Sequence, residues 1–510
     1  MTASSLSRRE FTAAGLLLTA GLALGACGAP PASSAHTLRI GQYWPPVSLD
    51  PAKIGGESLT YVEPAYDPLI YRAANGGYQP RLATAWRYVG TGNDLFELTL
   101  RSGVTFSDGT ALTAAVVKSN IDYFRAAAGQ AAALLASVSA TEVVNELTLR
   151  LRLSAPNPLM PTIFTQDYFA GNVISATGID QPARLATQTF GAGPYTLAAG
   201  QTVAGDHYTY VRNPKYWNPK DVRYDQITIK VLPNENTALD ALKTAQVDII
   251  AGSYQIADEA KAAGMSLAAT PGIVAGIQLN DRGGTLSPPL ADQRVRQALN
   301  LAVDRVKITK ALLAGYGTPT DQPAAAGQDG YNGTNFYKFD PAKARALLAE
   351  AGYGNGFSLP VLIPSTPAFP GDMVEAIGSD LAKIGVTLRI TAEQPAAAVS
   401  DATKFPATSM GWGVLPVYVM GRGLWLRDAI GLNPFHSSDP VLESLDRQSA
   451  AADPATRAAL DRQIIARVVE LGWFLPVCLE PQFLFYRNTV SLGALPGQAP
   501  PSVAAWSPAT

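Results

Sequence analysis

Segments with strand periodicity alternate with segments with helical periodicity along this chain, and that alternation restricts the possible folds most. Leucine occupies every second position from Leu147 to Leu153, as in a strand with one buried face. Apolar residues at spacings of three and four form a helical stripe at Val295, Ala298, Leu299, Ala302, Val303 and Val306. A helix ending at Gly385 then leads into an alternating strand from Val386 to Ile390. Interleaved helices and strands predict a mixed fold of the α/β or α+β class.

Local signals predict where individual helices begin and end. Asp340 is placed to cap a helix that has Pro341 at its first position and Gly352 just beyond its last turn. Thr113 is placed to cap an earlier helix, which an Asp-Gly turn at 108–109 precedes. These signals agree with the periodicity, so both helices are expected.

Length and charge narrow the class of protein. With 510 residues the chain exceeds the ~250–300 residues that one hydrophobic core supports, so at least two domains are expected. Its content of 47% hydrophobic and 16% charged residues is that of a globular protein. A net charge of -2 without a block of Lys or Arg argues against a nucleic-acid partner, because phosphate binding relies on clustered cations.

The N-terminus carries the pattern of an export signal. Ser7-Arg8-Arg9-Glu10-Phe11 is a twin-arginine pattern, and the apolar run that follows is too short to span a membrane as an ordinary helix. Residues 1–26 are therefore predicted to be a signal peptide of the lipoprotein type, since Leu24-Gly25-Ala26-Cys27 resembles the bacterial lipobox. Lipidated Cys27 would hold an extracytoplasmic protein on the outer face of the cell membrane, with 27–36 as a flexible tether.

Patterns of metal, cofactor and catalytic sites are missing from the sequence. His36, His207 and His436 lie far apart, so we expect no metal site and no cofactor. The chain has neither a phosphate-binding Gly-Lys-Ser/Thr loop nor a Gly-x-Ser-x-Gly elbow, which argues against an enzyme and leaves a hydrolase as a third option. Cys478 is expected to be a buried apolar side chain without a disulfide partner. The basic residues of 294–310 are expected on a solvated helix face.

Four motifs follow one another in a characteristic order. The first is "P-x-L-A-x-x-W … L-R-x-G-V-x-F-S-D-G-T-x-L-T-A-x-x-V" over 80–117. The others are Gly191-Ala192-Gly193-Pro194-Tyr195 with Arg212-Asn213-Pro214-Lys215-Tyr216-Trp217, then Val295 to Arg305, then Asp340 to Tyr353. This order resembles the extracytoplasmic solute-binding proteins of peptide, nickel and opine ABC importers, known as family 5.

The resemblance implies a bilobal fold like that of periplasmic binding proteins, with an inserted subdomain and two lobes joined by a hinge. The implied parts are lobe I at 37–57, 172–272 and 478–510, the inserted subdomain at 58–171, and lobe II at 273–477. The hinge crossings would lie near Pro271-Gly272 and at 473–478. Such a protein, expected to be a monomer, captures a small-molecule or peptide ligand and delivers it to the permease subunits of an ABC importer.

The stretch from Ser409 to Asp428 has the composition of a ligand-binding surface. It combines aromatic side chains, arginines and glycines, which supply contact area, directional donors and close backbone approach. Gly411-Trp412 also matches the Gly-Trp that begins the ligand-facing loop in the family. The predicted ligand-binding residues are Tyr43, Trp44, Trp412, Gly413, Tyr418, Arg422, Trp425 and Arg427. Alternatively, Trp412, Tyr418 and Trp425 only fill the core of the second lobe.

The stretch departs from the family in one respect. Peptide-binding relatives carry an Asp shortly after the Gly-Trp that pairs with the ligand's α-amino group, whereas no carboxylate follows Trp412 here before Asp428. Arg422 and Arg427 instead suggest an acidic or polyhydroxylated ligand. The identity of the ligand stays open between a peptide, an opine, a sugar and a nickel chelate. The second hypothesis is a relative without transport function that acts as a scaffold or regulator at the cell envelope.

Overall fold

The computed structural model describes residues 37–127, 129–333, 335–365, 371–413, 415–429, 433–494 and 502–509. The chain separates into the units Met1–Ala35 and His36–Thr510, and the described residues all belong to the second. The predicted signal peptide, the tether, Cys27 and His36 lie outside the described residues. Those assignments stay predictions.

Helices and strands alternate along the described residues, as the sequence predicts. The strands are β1 (Thr37–Gln42), β2 (Ile70–Arg72), β3 (Tyr78–Pro80), β4 (Ala83–Tyr88), β5 (Leu95–Leu100), β6 (Val138–Asn145), β7 (Thr148–Leu153), β8 (Tyr195–Leu197), β9 (His207–Arg212), β10 (Gln226–Val231), β11 (Ile249–Gly252), β12 (Ser266–Leu279), β13 (Thr318–Pro319), β14 (Phe357–Pro364), β15 (Val386–Glu393), β16 (Ala407–Gly413), β17 (Phe474–Tyr486), β18 (Val490–Ser491) and β19 (Ser507–Pro508). The α-helices are α1 (Leu59–Val62), α2 (Ala114–Ala126), α3 (Gln130–Leu134), α4 (Met160–Ile163), α5 (Ala176–Asp180), α6 (Glu235–Lys243), α7 (Ala257–Ala262), α8 (Gln293–Leu301), α9 (Arg305–Leu312), α10 (Pro341–Glu350), α11 (Gly371–Ala382), α12 (Pro395–Asp401), α13 (Val417–Met420), α14 (Pro440–Ala451) and α15 (Pro454–Glu470). The mixed α/β class is confirmed.

The predicted helix boundaries agree with the structure where capping signals were clear. The Asp340 side chain accepts a hydrogen bond from the Lys343 backbone N–H, and Gly352 adopts a positive φ of 87° beyond α10. Thr113 caps α2 through the Val116 N–H at 3.3 Å. One predicted helix is wrong in detail, because the stripe from Val295 to Val306 is divided between α8 and α9. Asp304 caps α9 and leaves Val306 66% exposed.

One long sheet runs through most of the second unit, with the strand order β15-β14-β16-β12-β17-β11-β1-β10-β9-β8 and β13 attached to β17. Strands β1, β10, β11 and β14, which take part in the parallel pairs, bury Val, Ile and Leu, as strands covered by helices require, whereas the edge strand β15 leaves Ile390 40% exposed. A separate antiparallel sheet, β4-β5-β7-β6, lies within the predicted inserted subdomain. The leucines of β7 pack into its core.

Strands β12 and β17 join the two halves of the long sheet. They pair with each other on both sides of a register irregularity between Thr270 and Ile273, whose partners on β17 are Gln482 and Glu480. This irregularity lies at the first predicted crossing, and a second one, between Ala275 and Gly276, faces Cys478 and Pro476 within the predicted second crossing at 473–478. The lobe boundaries themselves stay a prediction.

Buried apolar side chains form separate clusters in the two halves. One cluster joins β1, α1, the inserted subdomain and the C-terminal residues Val503 and Trp506, and a smaller one lies around α6 and α7. Beyond the irregularity, α8 to α11 cover one face of the sheet, while α13 to α15 cover the other. Separate cores agree with the expectation that 510 residues need more than one.

The basic residues of 294–310 correct a sequence expectation. Arg296 and Arg305 are buried, not solvated, and their guanidinium groups donate to backbone carbonyls near β17: Arg296 Nε to Leu471 O at 2.8 Å and Arg305 Nε to Pro476 O at 2.7 Å. Burial lowers the pKa of each guanidinium to about 10. Arg305 thus fastens α9 to β17, and Arg296 fastens α8 to the C-terminal end of α15, while Arg294 and Lys307 are exposed as expected.

Candidate ligand-binding site

The Gly-Trp of the predicted ligand-binding stretch ends β16, directly beside the irregular part of the sheet. Gly413 pairs with Ile273 and Trp412 with Val274 across β16 and β12. A Cβ atom added at Gly413 would meet no heavy atom within 4 Å. The end of β16 is therefore open on the side to which a residue 413 side chain would point.

Trp412 and Trp425 lie in the core of the second half. Trp412 is 7% exposed, and its ring centroid lies 5.1 Å from that of Phe474. Trp425 is 0% exposed and lies 6.2 Å from the same ring, at the end of a π-helical turn at Gly421–Trp425. In this arrangement Trp425 has no surface for a ligand. Both rings instead give the end of β16 and the following turn a rigid support.

Tyr418 and Arg422 form a local pair on α13 and the π-helical turn. The Arg422 guanidinium carbon lies 3.4 Å from the Tyr418 ring centroid, and its Nη2 lies 3.2 Å from Asp446 Oδ2 on α14. Burial raises the pKa of Asp446, and the facing guanidinium opposes that rise. The charge of Arg422 is thus already compensated by a protein carboxylate, which weakens the argument for an acidic ligand at this residue.

Arg427 follows the π-helical turn. It is exposed, and its backbone N–H donates to Glu443 Oε1 at 3.0 Å. Its carbonyl oxygen lies 3.1 Å from His436 Nδ1. The first contact holds the loop after the π-helical turn against α14, and the second joins that loop to His436.

Tyr43 and Trp44 follow β1 in the other half of the sheet. Their rings meet edge to face with centroids 4.4 Å apart, and they are 44% and 56% exposed. The Tyr61 hydroxyl donates to Trp44 O at 2.8 Å and fixes the loop. The structure thus groups the predicted residues as Tyr43 with Trp44, Tyr418 with Arg422, and the two buried tryptophans around Phe474.

Sequence reasoning missed Glu480, which lies in the same row of the sheet as Gly413. Ile273 on β12 pairs with Gly413 on one side and with Glu480 on the other. Residues directly opposite in antiparallel strands point to the same face, so the half-buried Glu480 carboxylate belongs to the open face at Gly413. Burial raises its pKa, and the carboxylate of Asp372 raises it further. No sequence signal identifies Glu480, because its position depends on strand register.

Neither a metal-binding cluster nor a membrane-spanning helix is found among the described residues. No group of three or more His, Cys, Asp or Glu side chains there is arranged to hold a metal ion. Cys478 is buried as predicted, and burial raises the pKa of its thiol to about 12. Among the described helices, none combines the length and apolar character that a membrane crossing needs.

Comparisons with known proteins agree on one family. The sequence model of bacterial extracellular solute-binding proteins, family 5 Middle, matches residues 77–419. The glutathione-binding protein GsiB of Salmonella typhimurium is 31% identical over 306 residues, which cover 58% of each chain. The match thus spans only about 58% of the length of this curated relative.

The similarity to solved structures extends over a longer part of the chain. The PBP AgaA from A. tumefaciens R10, solved in complex with agropinic acid, superposes with a TM-score of 0.73 at 26% identity and covers 92% of this chain and 96% of its own. HbpA2 from Haemophilus parasuis superposes with a TM-score of 0.82 at 24% identity, over 93% of this chain and 100% of its own, and shows the fold alone.

Proposed function

This chain belongs to the bacterial extracellular solute-binding proteins of family 5, and from that premise we propose that it captures a small ligand between two lobes and delivers it to the permease of an ABC importer. The observation that carries the proposal is the connection of the two halves by β12 and β17, with an open position at Gly413 beside it. Ligand contacts made from both lobes would favour the closed state, and only that difference in affinity shifts the hinge equilibrium.

The ligand is an oligopeptide-like molecule or another polar solute. GsiB is named for binding glutathione, and AgaA was solved with agropinic acid. We assign the exposed rings of Tyr43 and Trp44 to one wall of the site, and the face at Gly413 and Glu480 to the other. Where the ligand carries a cationic group, Glu480 is the carboxylate that we assign to it, since an ammonium group needs a partner once it is desolvated.

Export and anchoring complete the proposal. The twin-arginine pattern and the lipobox-like Leu24 to Cys27 support export followed by lipidation of Cys27, which would keep the binding protein beside its permease. Mass spectrometry of the mature N-terminus checks this directly. An unmodified Cys27 in protein isolated from membranes would contradict it.

Native mass spectrometry of protein purified without denaturation tests ligand capture, because a closed cleft retains its ligand. We expect a bound small molecule whose occupancy falls at least roughly tenfold in Gly413→Leu, since the larger side chain enters the open space at the end of β16. Gly200→Leu is the matched control, because a Cβ at exposed Gly200 also meets nothing within 4 Å. Equal occupancy in both variants would place the ligand elsewhere.

The second candidate function is that of a scaffold or regulator at the cell envelope without transport. It is favoured by the missing carboxylate after Trp412 and by the compensation of Arg422 by Asp446. A protein of that kind carries no small molecule in native mass spectrometry and binds none from a panel of peptides, opines, sugars and nickel chelates. Genes for a permease and an ATPase beside its own would favour transport instead.

A further inference from the structure

A loop of the predicted inserted subdomain caps a helix of predicted lobe II. The Asn93 side-chain Nδ2 donates to the carbonyl oxygens of Ala450 and Ala452, both at 2.9 Å. These two residues lie at the C-terminal end of α14, where backbone carbonyls have no donor within the helix. Asn93 therefore satisfies two helix-end acceptors from the other side of the hinge strands.

A second loop of the same subdomain makes two more contacts with lobe II. The Tyr418 hydroxyl donates to Pro156 O at 3.1 Å, and Arg457 Nη1 donates to Pro158 O at 3.2 Å. Apolar surface meets there as well, since Tyr418 and Val419 pack against the core cluster that contains β1 and the inserted subdomain. Elements α13, α14 and α15 thus all touch the subdomain.

The two subdomain loops are also joined to each other by hydrogen bonds within the subdomain. The Asn157 N–H donates to Asn93 O at 3.0 Å, and the Tyr88 hydroxyl donates to Asn157 O at 2.5 Å. Asn93 has a φ of 56°, a region that Asn adopts more readily than most residues. The donors and acceptors are therefore preorganised on the subdomain side, and little ordering is needed for contact.

On the basis of the proposed function, we propose that Asn93, Tyr418 and Arg457 form a lock, which stabilises the closed arrangement of the lobes in the absence of a ligand. The two sides of the lock lie on opposite sides of the β12 and β17 crossings, so rotation about those strands separates them. The lock lowers the free energy that a ligand has to supply for closure, and ligand-free protein is partly closed. Tyr418 then acts in closure and not as a ligand-contacting wall.

Two substitutions remove the lock with little other change. Asn93→Gly removes both amide donors and tolerates the positive φ, while Tyr418→Phe removes the hydroxyl and keeps the ring under Arg422. Tyr337→Phe is the matched control, because the Tyr337 hydroxyl also donates to a backbone carbonyl, Val469 O at 2.6 Å, but within lobe II.

Pulsed EPR distances in ligand-free protein measure the closed fraction. Spin labels at Glu142→Cys and Gln448→Cys, both exposed positions, report the distance between the predicted inserted subdomain and predicted lobe II. Cys27→Ser removes one native thiol, and Cys478 stays unlabelled because it is buried. We expect the Asn93→Gly/Tyr418→Phe variant to raise the ratio of open to closed protein roughly tenfold or more, while Tyr337→Phe matches the wild type. Tyr418→Phe alone shifts it in the same direction by a smaller factor.

Identical distance distributions in all these proteins would overturn the lock. Thermal unfolding of each variant shows that it is folded, and Tyr418→Phe, which loses one oxygen atom, keeps the test decisive if the double variant does not fold. The measurement uses no ligand, so a failure of ligand capture leaves the result on the lock intact. If the lock is confirmed but the protein captures no ligand, the two results together would fit the scaffold function.

Discussion

Glu63 is buried where the beginning and the end of the described chain meet. It is 7% exposed, its Oε2 accepts from the Val503 N–H at 2.9 Å, and its Oε1 has no hydrogen-bond partner among the described residues. It lines a cavity with Tyr224 and Trp506, whose hydroxyl and indole N–H are likewise without partners among the described residues. Burial raises the pKa of Glu63 to about 8, and the hydrogen bonds from Val503 and Ser502 oppose the rise.

This raised pKa predicts a loss of stability toward alkaline pH. The unfolded chain releases the Glu63 proton near pH 4.5, while the folded protein keeps it to about pH 8, so the folded state binds more protons between these values. The free energy of unfolding then falls as pH rises through that window, by up to roughly 3–5 kcal/mol from this group. Glu63→Gln keeps an acceptor for the Val503 N–H and removes the titration.

Urea unfolding at pH 5 and pH 8 isolates the contribution of Glu63. Burial also raises the pKa of Asp167 and Asp461 to about 6, so the wild type carries further slope of the same sign, and the comparison with Glu63→Gln removes that background. We expect the variant to lose less stability between the two pH values. The same loss in both proteins would mean that Glu63 is not buried in its protonated form.

Single residues also show where sequence reasoning stops. The helical period places Arg296 and Arg305 beside an apolar stripe, from which a solvated position is expected. Their burial depends on carbonyl partners at Leu471 and Pro476, which are far away in the sequence. The composition of 409–428 was equally ambiguous, since an aromatic ring suits a ligand wall and a core alike. Only packing against Phe474 shows that Trp425 belongs to the core.

At the scale of elements, β12 depends on a glycine at its irregular point. A Cβ atom at Gly272 would lie 2.0 Å from Glu480 O on β17, which is closer than any real contact. Because the obstacle is backbone of the paired strand, no side-chain movement relieves it. Gly272 therefore permits the close approach of the two strands that join the halves of the sheet.

Gly272→Ala is expected to destabilise the protein by roughly 1–3 kcal/mol, since the strands have to move apart. Gly413→Ala is the matched control in the neighbouring strand, because its Cβ meets nothing within 4 Å, and we expect a change within about 0.5 kcal/mol. Urea unfolding measures both. Equal stability of the two variants would show that β12 and β17 are not held together at this point.

Elements with local signals could be predicted, and those that depend on pairing could not. Asp340, Pro341 and Gly352 define α10 from sequence because caps act within a few residues. The row that joins Gly413 to Glu480 exists only through the registers of β16, β12 and β17. A shift of one residue in either register would turn Glu480 to the opposite face, so no local pattern contains this information.

At the scale of the whole molecule, the C-terminal residues complete a core that begins with β1. Val503 and Trp506 are 5% and 4% exposed within the cluster that contains Leu38 and Ile40. Strand β19 pairs with β18, and the Ala509 N–H donates to Thr489 O at 2.9 Å. The resemblance to the family implies that 37–57 and 478–510 share a lobe, and these bounds stay a prediction, whereas periodicity alone indicated only that the strands exist.

Because the cores are separate, damage to the C-terminal contact should stay in one half of the sheet. Trp506→Ala removes a buried indole and is expected to cost roughly 3–5 kcal/mol, whereas Trp44→Ala, at a 56% exposed position, should leave stability unchanged. Hydrogen exchange followed by mass spectrometry locates the damage: we expect faster exchange in β1 and α1 of the Trp506→Ala protein and unchanged exchange in α8 and α11, whose side chains belong to another cluster. An equal rise in all four elements would mean that the two halves unfold as one cooperative unit, and β12 and β17 would then transmit stability between the halves as well as joining them.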